Sequence, residues 1–340
     1  MTPSPRRILE AAIADGQFPG AVFAYGTPKV QHIDAVGARD DSGAPTTPNT
    51  RYDLASLTKP LGTLTAVLRL IEAGHLGLDE PVGRYISNAG WFQTRSLADL
   101  RIRALLTHSS GLPAWKALYA WCSDRPTCVA NVLQTEPGPP GAIVYSDLGF
   151  LVLGALVERV TRQRQDEVLQ PVYAALGSGL RYGASEGTIA PTEDCGWRNR
   201  LLQGEVHDEN AFRMEGVAGH AGLFGSAADV AVIARAWLEA DPKLVSPALQ
   251  AEARRCHVDD GRLRRGLGWL LKSEDPFAGE GASSAGFGHT GYTGCSLWIE
   301  PDAGWYGALL TNRVHPTRRR GGRMHQVRQA FYQAIRDELG

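Results

Sequence analysis

The pattern of apolar and polar positions separates a strand-rich start and end of this chain from a helix-rich middle. Residues 7–15 have the amphipathic pattern of a helix that ends near Gly16. The apolar run 21–25 and the segment 30–36 are bounded by turn-forming residues, so each is predicted to be a strand. The chain is therefore expected to open with a helix and a hairpin.

Helical periodicity dominates the middle of the chain. Between Leu57 and Ala73, apolar residues recur every three or four positions, which predicts a helix with one buried face, and Gly74 is placed to end it. Further helices are predicted between loops rich in glycine and proline, at 96–106, 150–162 and 227–238.

The last part of the chain returns to strand patterns and closes with a helix. Apolar residues recur at helical spacing between Met324 and Ile335, so a C-terminal helix is expected to pack on the preceding sheet. Antiparallel strands are predicted before it, at 286–292, 295–299 and 305–310.

Strands at both chain ends predict an α/β (α+β) fold with an inserted helical part. We expect an antiparallel sheet flanked by N- and C-terminal helices, with a mostly helical lobe between the strands. The whole chain, 1–340, is interpreted as one domain, with a sheet lobe at 1–55 and 240–340 and a helical lobe at 56–239.

Composition and charge narrow the classes of partner. Apolar residues make up 43% and charged residues 21%, and the formal net charge is −1. Such a chain has no overall field that would attract nucleic acid or an anionic membrane, so a small-molecule or peptide substrate is favoured. No apolar run approaches the roughly 18 residues of a membrane span. These patterns leave the oligomeric state open.

The cysteines bear on the cellular compartment. There are five, scattered and without paired spacing, so neither a disulfide framework nor a zinc site is expected. Free thiols, and a start that lacks the pattern of a signal peptide, predict a cytoplasmic protein. A processed periplasmic or secreted form is the alternative.

The candidate chemistry begins with Ser56-Leu57-Thr58-Lys59. A serine hydroxyl needs a nearby base, and donors directed at the developing oxyanion, before it can attack a carbonyl. On a helix, Lys59 lies on the same face as Ser56, and a helix start at Ser56 places its backbone N–H near the reacting carbonyl. To act as a base Lys59 must be unprotonated, and burial beside another cation would give that state. The alternative is an N-cap serine with a solvated lysine.

Two later tripeptides supply complementary groups. Tyr145-Ser146-Asp147 stands at the entry to a predicted helix, where a phenol between two cations can exchange protons; the alternative is a core tyrosine. His289-Thr290-Gly291 lies in a predicted strand, where the glycine lets a ligand backbone approach and the threonine suits a carboxylate or amide. The N–H of Tyr292 is the expected second oxyanion donor. A strand histidine without a role is the alternative for His289.

In order and composition these motifs resemble those of the serine β-lactamase and penicillin-binding-protein superfamily, in particular its class C-like branch. The resemblance implies a β-lactamase/transpeptidase-like fold and a catalytic domain without metal or organic cofactor. It also implies a covalent acyl-enzyme on Ser56, with Lys59 and Tyr145 moving protons and the two N–H groups forming the oxyanion hole. Similar segments occur along nearly the whole chain, at 18–22, 105–113, 219–224, 268–269 and 310–313.

Two departures from the superfamily's pattern bear on specificity. Asp147 stands where asparagine is usual, which removes an amide donor and adds negative charge beside the substrate path. His289 stands where β-lactamases usually have lysine. Histidine is also found at this position in some D,D-carboxypeptidases, D-aminopeptidases and esterases of the superfamily. A neutral imidazole attracts a β-lactam carboxylate less than an ammonium does. Asp147, His289, Thr290 and Gly291 are the expected substrate-binding residues.

The leading expectation is a serine hydrolase, either a carboxylesterase or a D,D-peptidase. Its expected substrates are small esters and D-amino-acid peptides or amides, with weak hydrolysis of β-lactams as a lesser activity. The alternatives are an acyltransferase, in which an alcohol or amine replaces water, and a non-catalytic penicillin-binding or scaffold protein of the same fold.

Other polar clusters are interpreted as structural. The segment 206–210 groups a histidine with two acids, but adjacent residues point in different directions, so loop hydrogen bonding is favoured over a metal site. This segment and His220 are expected at most to line the cleft. The run Arg318-Arg319-Arg320 is interpreted as a solvated loop rather than an anion contact.

Overall fold

The computed structural model describes residues 3–86, 95–184 and 186–339. The helices of this part of the chain are α1 (Pro5–Ala14), α2 (Thr65–Glu72), α3 (Arg95–Ala98), α4 (Ile102–Leu106), α5 (Leu118–Trp121), α6 (Arg125–Leu133), α7 (Asp147–Thr161), α8 (Gln165–Leu176), α9 (Glu209–Arg213), α10 (Ala227–Leu238), α11 (Pro247–Arg254) and α12 (Met324–Leu339). The strands are β1 (Gly20–Gly26), β2 (Gln31–Gly37), β3 (Tyr52–Asp53), β4 (Arg181–Tyr182), β5 (Asp194–Cys195), β6 (Arg200–Leu201), β7 (Leu223–Gly225), β8 (Val258–Asp259), β9 (Arg264–Arg265), β10 (Leu270–Leu271), β11 (Phe287–Thr290), β12 (Ser296–Glu300) and β13 (Trp305–Thr311).

The main sheet joins the two ends of the chain. Among the described residues, eight antiparallel strands form it in the order β2-β1-β13-β12-β11-β10-β9-β8. β1 and β13 pair directly, with Val22 opposite Leu310. Because the first and last strands are neighbours, the helices between them form an insertion. The predicted antiparallel sheet with helices at both chain ends is confirmed.

Alternating residues of the sheet face two hydrophobic cores. On β1, Val22 and Ala24 belong to the core shared with the helical lobe, whereas Phe23 and Tyr25 belong to the core under α1 and α12. A strand covered on both faces is apolar at successive positions, which explains the continuous apolar run at 21–25. α12 packs against α1, and α10 packs against β13.

Local structure differs from prediction in two of the helical segments. The predicted helix at 57–73 is divided into a 3-10 turn (Ala55–Leu57), a π-helical segment (Lys59–Leu64) and α2. Pro60 lies at the start of the π-helical segment and has no N–H to donate, so a regular α-helical ladder cannot form there. The segment 96–106 forms α3 and α4, since Arg101 is extended. No helix among the described residues is both long and apolar enough to cross a membrane.

Candidate active site

Ser56 lies in a strained turn in front of a helix. Ala55 has a φ of 46°, in the left-handed region, which costs a non-glycine residue roughly 1–2 kcal/mol. The Asp53 carboxylate holds the turn, because it accepts hydrogen bonds from the N–H groups of Ala55 at 2.8 Å and His207 at 2.6 Å. After the turn, the π-helical segment brings Nζ of Lys59 to 2.8 Å from Oγ of Ser56. Ser56 is partly exposed and Lys59 is fully buried.

The charge state of Lys59 differs from the one expected from sequence. Its Nζ lies 2.7 Å from Oδ1 of Asp147 and donates to the carbonyl of His220 at 3.4 Å. Burial lowers the pKa of Lys59, but Asp147 and Tyr145 outweigh burial and raise it above its ordinary value. Lys59 is therefore an ammonium in the resting site. The expectation of an unprotonated lysine beside another cation is wrong, because the nearest charged partner is an anion.

The start of α7 fixes the position of Tyr145. Ser146 caps this helix: its Oγ accepts a hydrogen bond from the N–H of Gly149, and its own N–H donates to Nδ1 of His108 at 3.0 Å. The rings of Tyr145 and His108 lie 4.5 Å apart between centroids. Nζ of Lys59 lies 4.7 Å from the centroid of the Tyr145 ring, so the phenol and the ammonium interact directly.

A second cation, Arg265 of β9, also lies over the Tyr145 ring, with its Cζ 5.6 Å from the centroid. The side chain is buried, and within the described residues it forms no salt bridge and its Nε has no hydrogen-bond partner. Burial lowers the pKa of Arg265, and Tyr145 opposes that shift. Sequence reasoning missed this residue. The available signal was an arginine directly before the apolar segment 266–269, where a solvated side chain is not expected.

The strand β11 brings the third motif against the turn that carries Ser56. Gly291 follows this strand, and a Cβ at that position would lie only 2.6 Å from the carbonyl oxygen of Leu54. Thr293 adds a second tie, since its Oγ1 donates to the carbonyl of Asp53 at 2.7 Å. The glycine is therefore required for the strand edge and the nucleophile turn to meet.

The side chain of His289 is buried inside the protein. It is 3% exposed, and its Nδ1–H donates to the carbonyl of Thr290 at 2.8 Å. Burial, with repulsion from Lys59 and Arg265, holds the pKa of His289 well below its ordinary value, so the imidazole is neutral. Its ring lies 5.9 Å from that of Tyr145. His289 thus shapes the surroundings of the phenol, and a direct contact with substrate stays a prediction.

A cavity of about 740 Å³ adjoins the nucleophile. Lys59 and His289 lie behind its surface, and the other predicted site residues line it: Ser56, Tyr145, Asp147, Thr290, Gly291 and Tyr292. The two residues that carry the predicted oxyanion donors therefore border the same space. Their role, and those of the other site residues, stay predictions.

Three side chains near the nucleophile have the composition of a metal site. Ligand atoms of Asp147, Asp208 and His220 lie within 4.8 Å of one another. Nε2 of His220 is 2.8 Å from Oδ1 of Asp208; burial lowers the pKa of His220, but Asp208 outweighs burial and raises it. Asp208 is thus paired with the imidazole of His220, and Asp147 with the ammonium of Lys59. A metal ion would have to displace these partners.

Arg318 lies at the cavity with two carboxylate partners. Its Nη2 is 2.6 Å from Oε1 of Glu209, and its guanidinium also donates to Glu193. Nε2 of His207 lies 3.1 Å from the same Glu193. The run 318–320 is a loop in which Arg318 and Arg319 are exposed, as expected, and Arg318 in addition pairs with acids of the folded chain. Loop hydrogen bonding of the segment 206–210 is confirmed.

Comparison with known proteins gives the family. The Beta-lactamase family model matches residues 5–331. A protein of Escherichia coli (strain K12) named "Putative D-alanyl-D-alanine carboxypeptidase" is 32% identical over 307 residues, which cover 79% of this chain and 70% of the relative. A protein of the same name from Salmonella agona (strain SL483) is 31% identical over 307 residues, covering 79% of this chain and 71% of the relative.

Solved structures share the fold at lower identity. The octameric penicillin-binding protein homologue from Pyrococcus abyssi superposes with a TM-score of 0.77 at 20% identity, covering 97% of this chain and 75% of that one. EstCE1, described as a hydrolase with promiscuous acyltransferase activity, gives 0.79 at 22% identity, covering 96% and 97%. At such identities the likeness concerns the fold alone. The family match and the relatives above 30% identity go further: the chain belongs to the Beta-lactamase family of serine hydrolases.

Proposed function

We propose that this protein cleaves D-amino-acid peptides or small esters through a covalent acyl-enzyme on Ser56. The observation that carries the proposal is the contact of 2.8 Å between Oγ of Ser56 and Nζ of Lys59, beside a cavity that Tyr145 and the Thr290-Gly291 edge also line. A hydroxyl held in this way can attack a carbonyl placed in the cavity.

The charge pattern divides the proton transfers between two residues. Lys59 is an ammonium, so it donates a hydrogen bond to Oγ of Ser56 and orients it rather than taking its proton. The phenolate form of Tyr145 accepts that proton, and Lys59 and Arg265 stabilise the negative charge that this form carries. Neutral Tyr145 then protonates the leaving group, and the regenerated phenolate activates the water that releases the acyl group.

The oxyanion is assigned to the backbone. The N–H groups of Ser56 and Tyr292 are the two proposed donors, since both residues border the cavity and Gly291 brings their segments together.

The substrate class is supported by the names of relatives and by the motif departures. The two relatives that are 32% and 31% identical to this chain over 307 residues carry the name "Putative D-alanyl-D-alanine carboxypeptidase". The carboxylate of Asp147 forms an ion pair with Lys59 and offers no amide donor. His289 is neutral and offers no ammonium. An amide donor and an ammonium both favour recognition of β-lactams. We therefore place peptides and esters ahead of β-lactams.

The test combines covalent labelling with turnover. Purified protein and its Ser56→Ala variant are incubated with a fluorescent penicillin, a p-nitrophenyl acetate and N-acyl-D-alanyl-D-alanine, and label and products are followed together. Turnover of the ester or dipeptide in buffer alone, lost in Ser56→Ala, is the expected result. Product formation only after an alcohol or amine is added would favour the acyltransferase. Stable labelling without any turnover would refute hydrolysis and favour a binding role.

A further inference from the structure

We propose that His220 is a positioning residue for the attack of Ser56, because it acts on Lys59 by two routes. Its backbone carbonyl accepts a hydrogen bond from Nζ of Lys59, and its imidazole lies beside the Asp147 carboxylate that pairs with the same Nζ. Asp208 holds that imidazole in place. This inference rests on the proposed acyl-enzyme on Ser56 and adds to it a residue that lies outside the three sequence motifs.

The segment that carries His220 is fixed to the elements on both sides of the site. Oγ1 of Thr63, in the same π-helical segment as Lys59, donates to the carbonyl oxygen of Gly219 at 2.6 Å. Gly219 itself packs on α7, where a Cβ would overlap the carbonyl oxygen of Phe150. The backbone at His220 therefore has a set position, and its carbonyl oxygen lies 3.4 Å from Nζ of Lys59.

The imidazole of His220 lies beside two carboxylates. Its Nε2 donates to Oδ1 of Asp208 at 2.8 Å, and a carboxylate oxygen of Asp147 lies within 4.8 Å of ligand atoms of both residues. Burial lowers the pKa of His220, while Asp208 and, by a smaller amount, Asp147 raise it, so the ring is attracted to both acids. Without the ring, the two carboxylates would face each other at that separation and repel.

Asp208 is a fixed support for the imidazole. It caps α9, since its Oδ1 accepts a hydrogen bond from the N–H of Ala211 at 2.7 Å. α9 is in turn tied to α5, where Oδ1 of the buried Asn210 accepts a hydrogen bond from the N–H of Tyr119 at 3.0 Å. The same oxygen of Asp208 serves the helix and the imidazole, so the orientation of His220 follows from the position of α9.

The expected consequence concerns the rate of attack rather than substrate binding. Loss of the imidazole leaves Asp147 to be repelled by Asp208, so Asp147 moves away from its present position. Nζ of Lys59 then loses its alignment with Oγ of Ser56. His220 is 1% exposed and lies behind the cavity surface, so binding of the substrate before the reaction should change little.

The test measures how fast Ser56 reacts with a fluorophosphonate. Oγ forms a bond to phosphorus, and fluoride and the hydroxyl proton leave, so no deacylation is needed. His220→Asn should lower the maximal rate about 10- to 100-fold and change the half-saturation concentration less than about threefold, the range expected when one group bonded to a carboxylate is lost. His220→Gln, whose longer side chain places an amide donor nearer to Asp208, should recover part of the rate.

A double-mutant cycle tests the pair. Asp208→Asn keeps an oxygen for the N–H of Ala211 and removes the charge, so it should also slow labelling, by a smaller factor. Because the two residues act as one unit, the variant with both substitutions should be no slower than His220→Asn alone. Losses that multiply in the double variant would show independent roles and overturn the proposal.

His257→Asn is the matched control. The side chain of His257 is also 2% exposed and lies beside an acid, with its Nε2 3.7 Å from Oε1 of Glu252, but this pair lies outside the cavity. The control variant should lose stability without slowing the labelling of Ser56. An equal decrease in His257→Asn and His220→Asn, or the wild-type rate in His220→Asn, would overturn the proposal.

Failure of the proposed function can be told apart from failure of this inference. A wild-type protein that is labelled at Ser56 but turns over no ester or peptide would refute hydrolysis, and the labelling rates of the variants would still decide about His220. Turnover by the wild type with no effect of His220→Asn would leave hydrolysis standing and overturn the inference. No reaction of Ser56 with either the fluorophosphonate or an ester would overturn both.

Discussion

Replacing Arg265 by glutamine removes one of the two cations over the Tyr145 ring and keeps a side chain of similar polarity. The guanidinium carbon lies 5.6 Å from the ring centroid. At an effective dielectric constant of about 20, a unit charge at that distance stabilises a negative charge by at most about 3 kcal/mol. If the phenolate of Tyr145 is the proton acceptor, loss of this stabilisation in Arg265→Gln slows acylation by up to about 100-fold.

The assay is the rate of acylation of Ser56, measured before steady state with a p-nitrophenyl ester over a range of pH. Without Arg265 one of the two cations that stabilise the anionic acceptor is missing, so acylation should be slower in Arg265→Gln. Arg264→Gln is the matched control, because Arg264 is the adjacent residue of β9 and lies 3.5 Å from Asp259.

A second substitution tests whether the charge itself matters. His289 is neutral and its ring lies 5.9 Å from that of Tyr145, so a lysine at 289 would return a cation to the phenol from the other motif. His289→Lys on the Arg265→Gln background should recover much of the lost rate. Three results would refute the role of Arg265 in stabilising the anionic proton acceptor. They are a decrease in acylation rate smaller than threefold in Arg265→Gln, an equal decrease in Arg264→Gln, and no recovery of the rate in the double variant.

Three further predictions follow from the charges of the site and its rim. Lys59→Ala should lower acylation by at least a few orders of magnitude with the fold retained, measured by penicillin labelling and circular dichroism; wild-type labelling would exclude Lys59 from the chemistry. Asp147→Asn should increase turnover of a chromogenic cephalosporin, because it supplies an amide donor; unchanged or slower turnover would show that Asp147 does not set that preference. Glu193→Gln should lower the free energy of unfolding in urea by about 1–3 kcal/mol at neutral pH, since it breaks the bonds to Arg318 and His207. Burial alone would raise the pKa of Glu193, but these partners hold it below the ordinary 4.5. The difference in free energy of unfolding between wild type and Glu193→Gln should therefore shrink as the pH falls below 4.5. A difference in free energy that is independent of pH would contradict this prediction.

Much of this site follows from short-range sequence rules. The spacing of Ser56 and Lys59 places both on one helical turn, and Tyr145 before a helix start gives a fixed phenol. The terminal helices and five strands of the main sheet, β1, β2, β11, β12 and β13, follow from apolar patterns bounded by turn residues. These features depend on residues close in sequence or on a regular repeat, so they can be predicted from the sequence alone.

The charge balance of the site could not be predicted in the same way. The protonation of Lys59 depends on the distance to Asp147, and the neutrality of His289 depends on its burial. Arg265 comes from β9 and Arg328 from α12, outside every motif, so only the assembled fold brings Arg265 over the Tyr145 ring and Arg328 to the cavity. Non-local electrostatics of this kind has no periodic or local signature.

The packing of α12 gives the last helix two roles, since it covers one core of the sheet and also borders the cavity. Phe331, Tyr332 and Ile335 of α12 are buried against the sheet, while Arg328, earlier on the same helix, reaches the cavity. The nucleophile Ser56 lies in the 3-10 turn and the phenol of Tyr145 lies just before α7. Partial detachment of the chain's end would therefore open one side of the cavity while leaving Ser56 and Tyr145 in place.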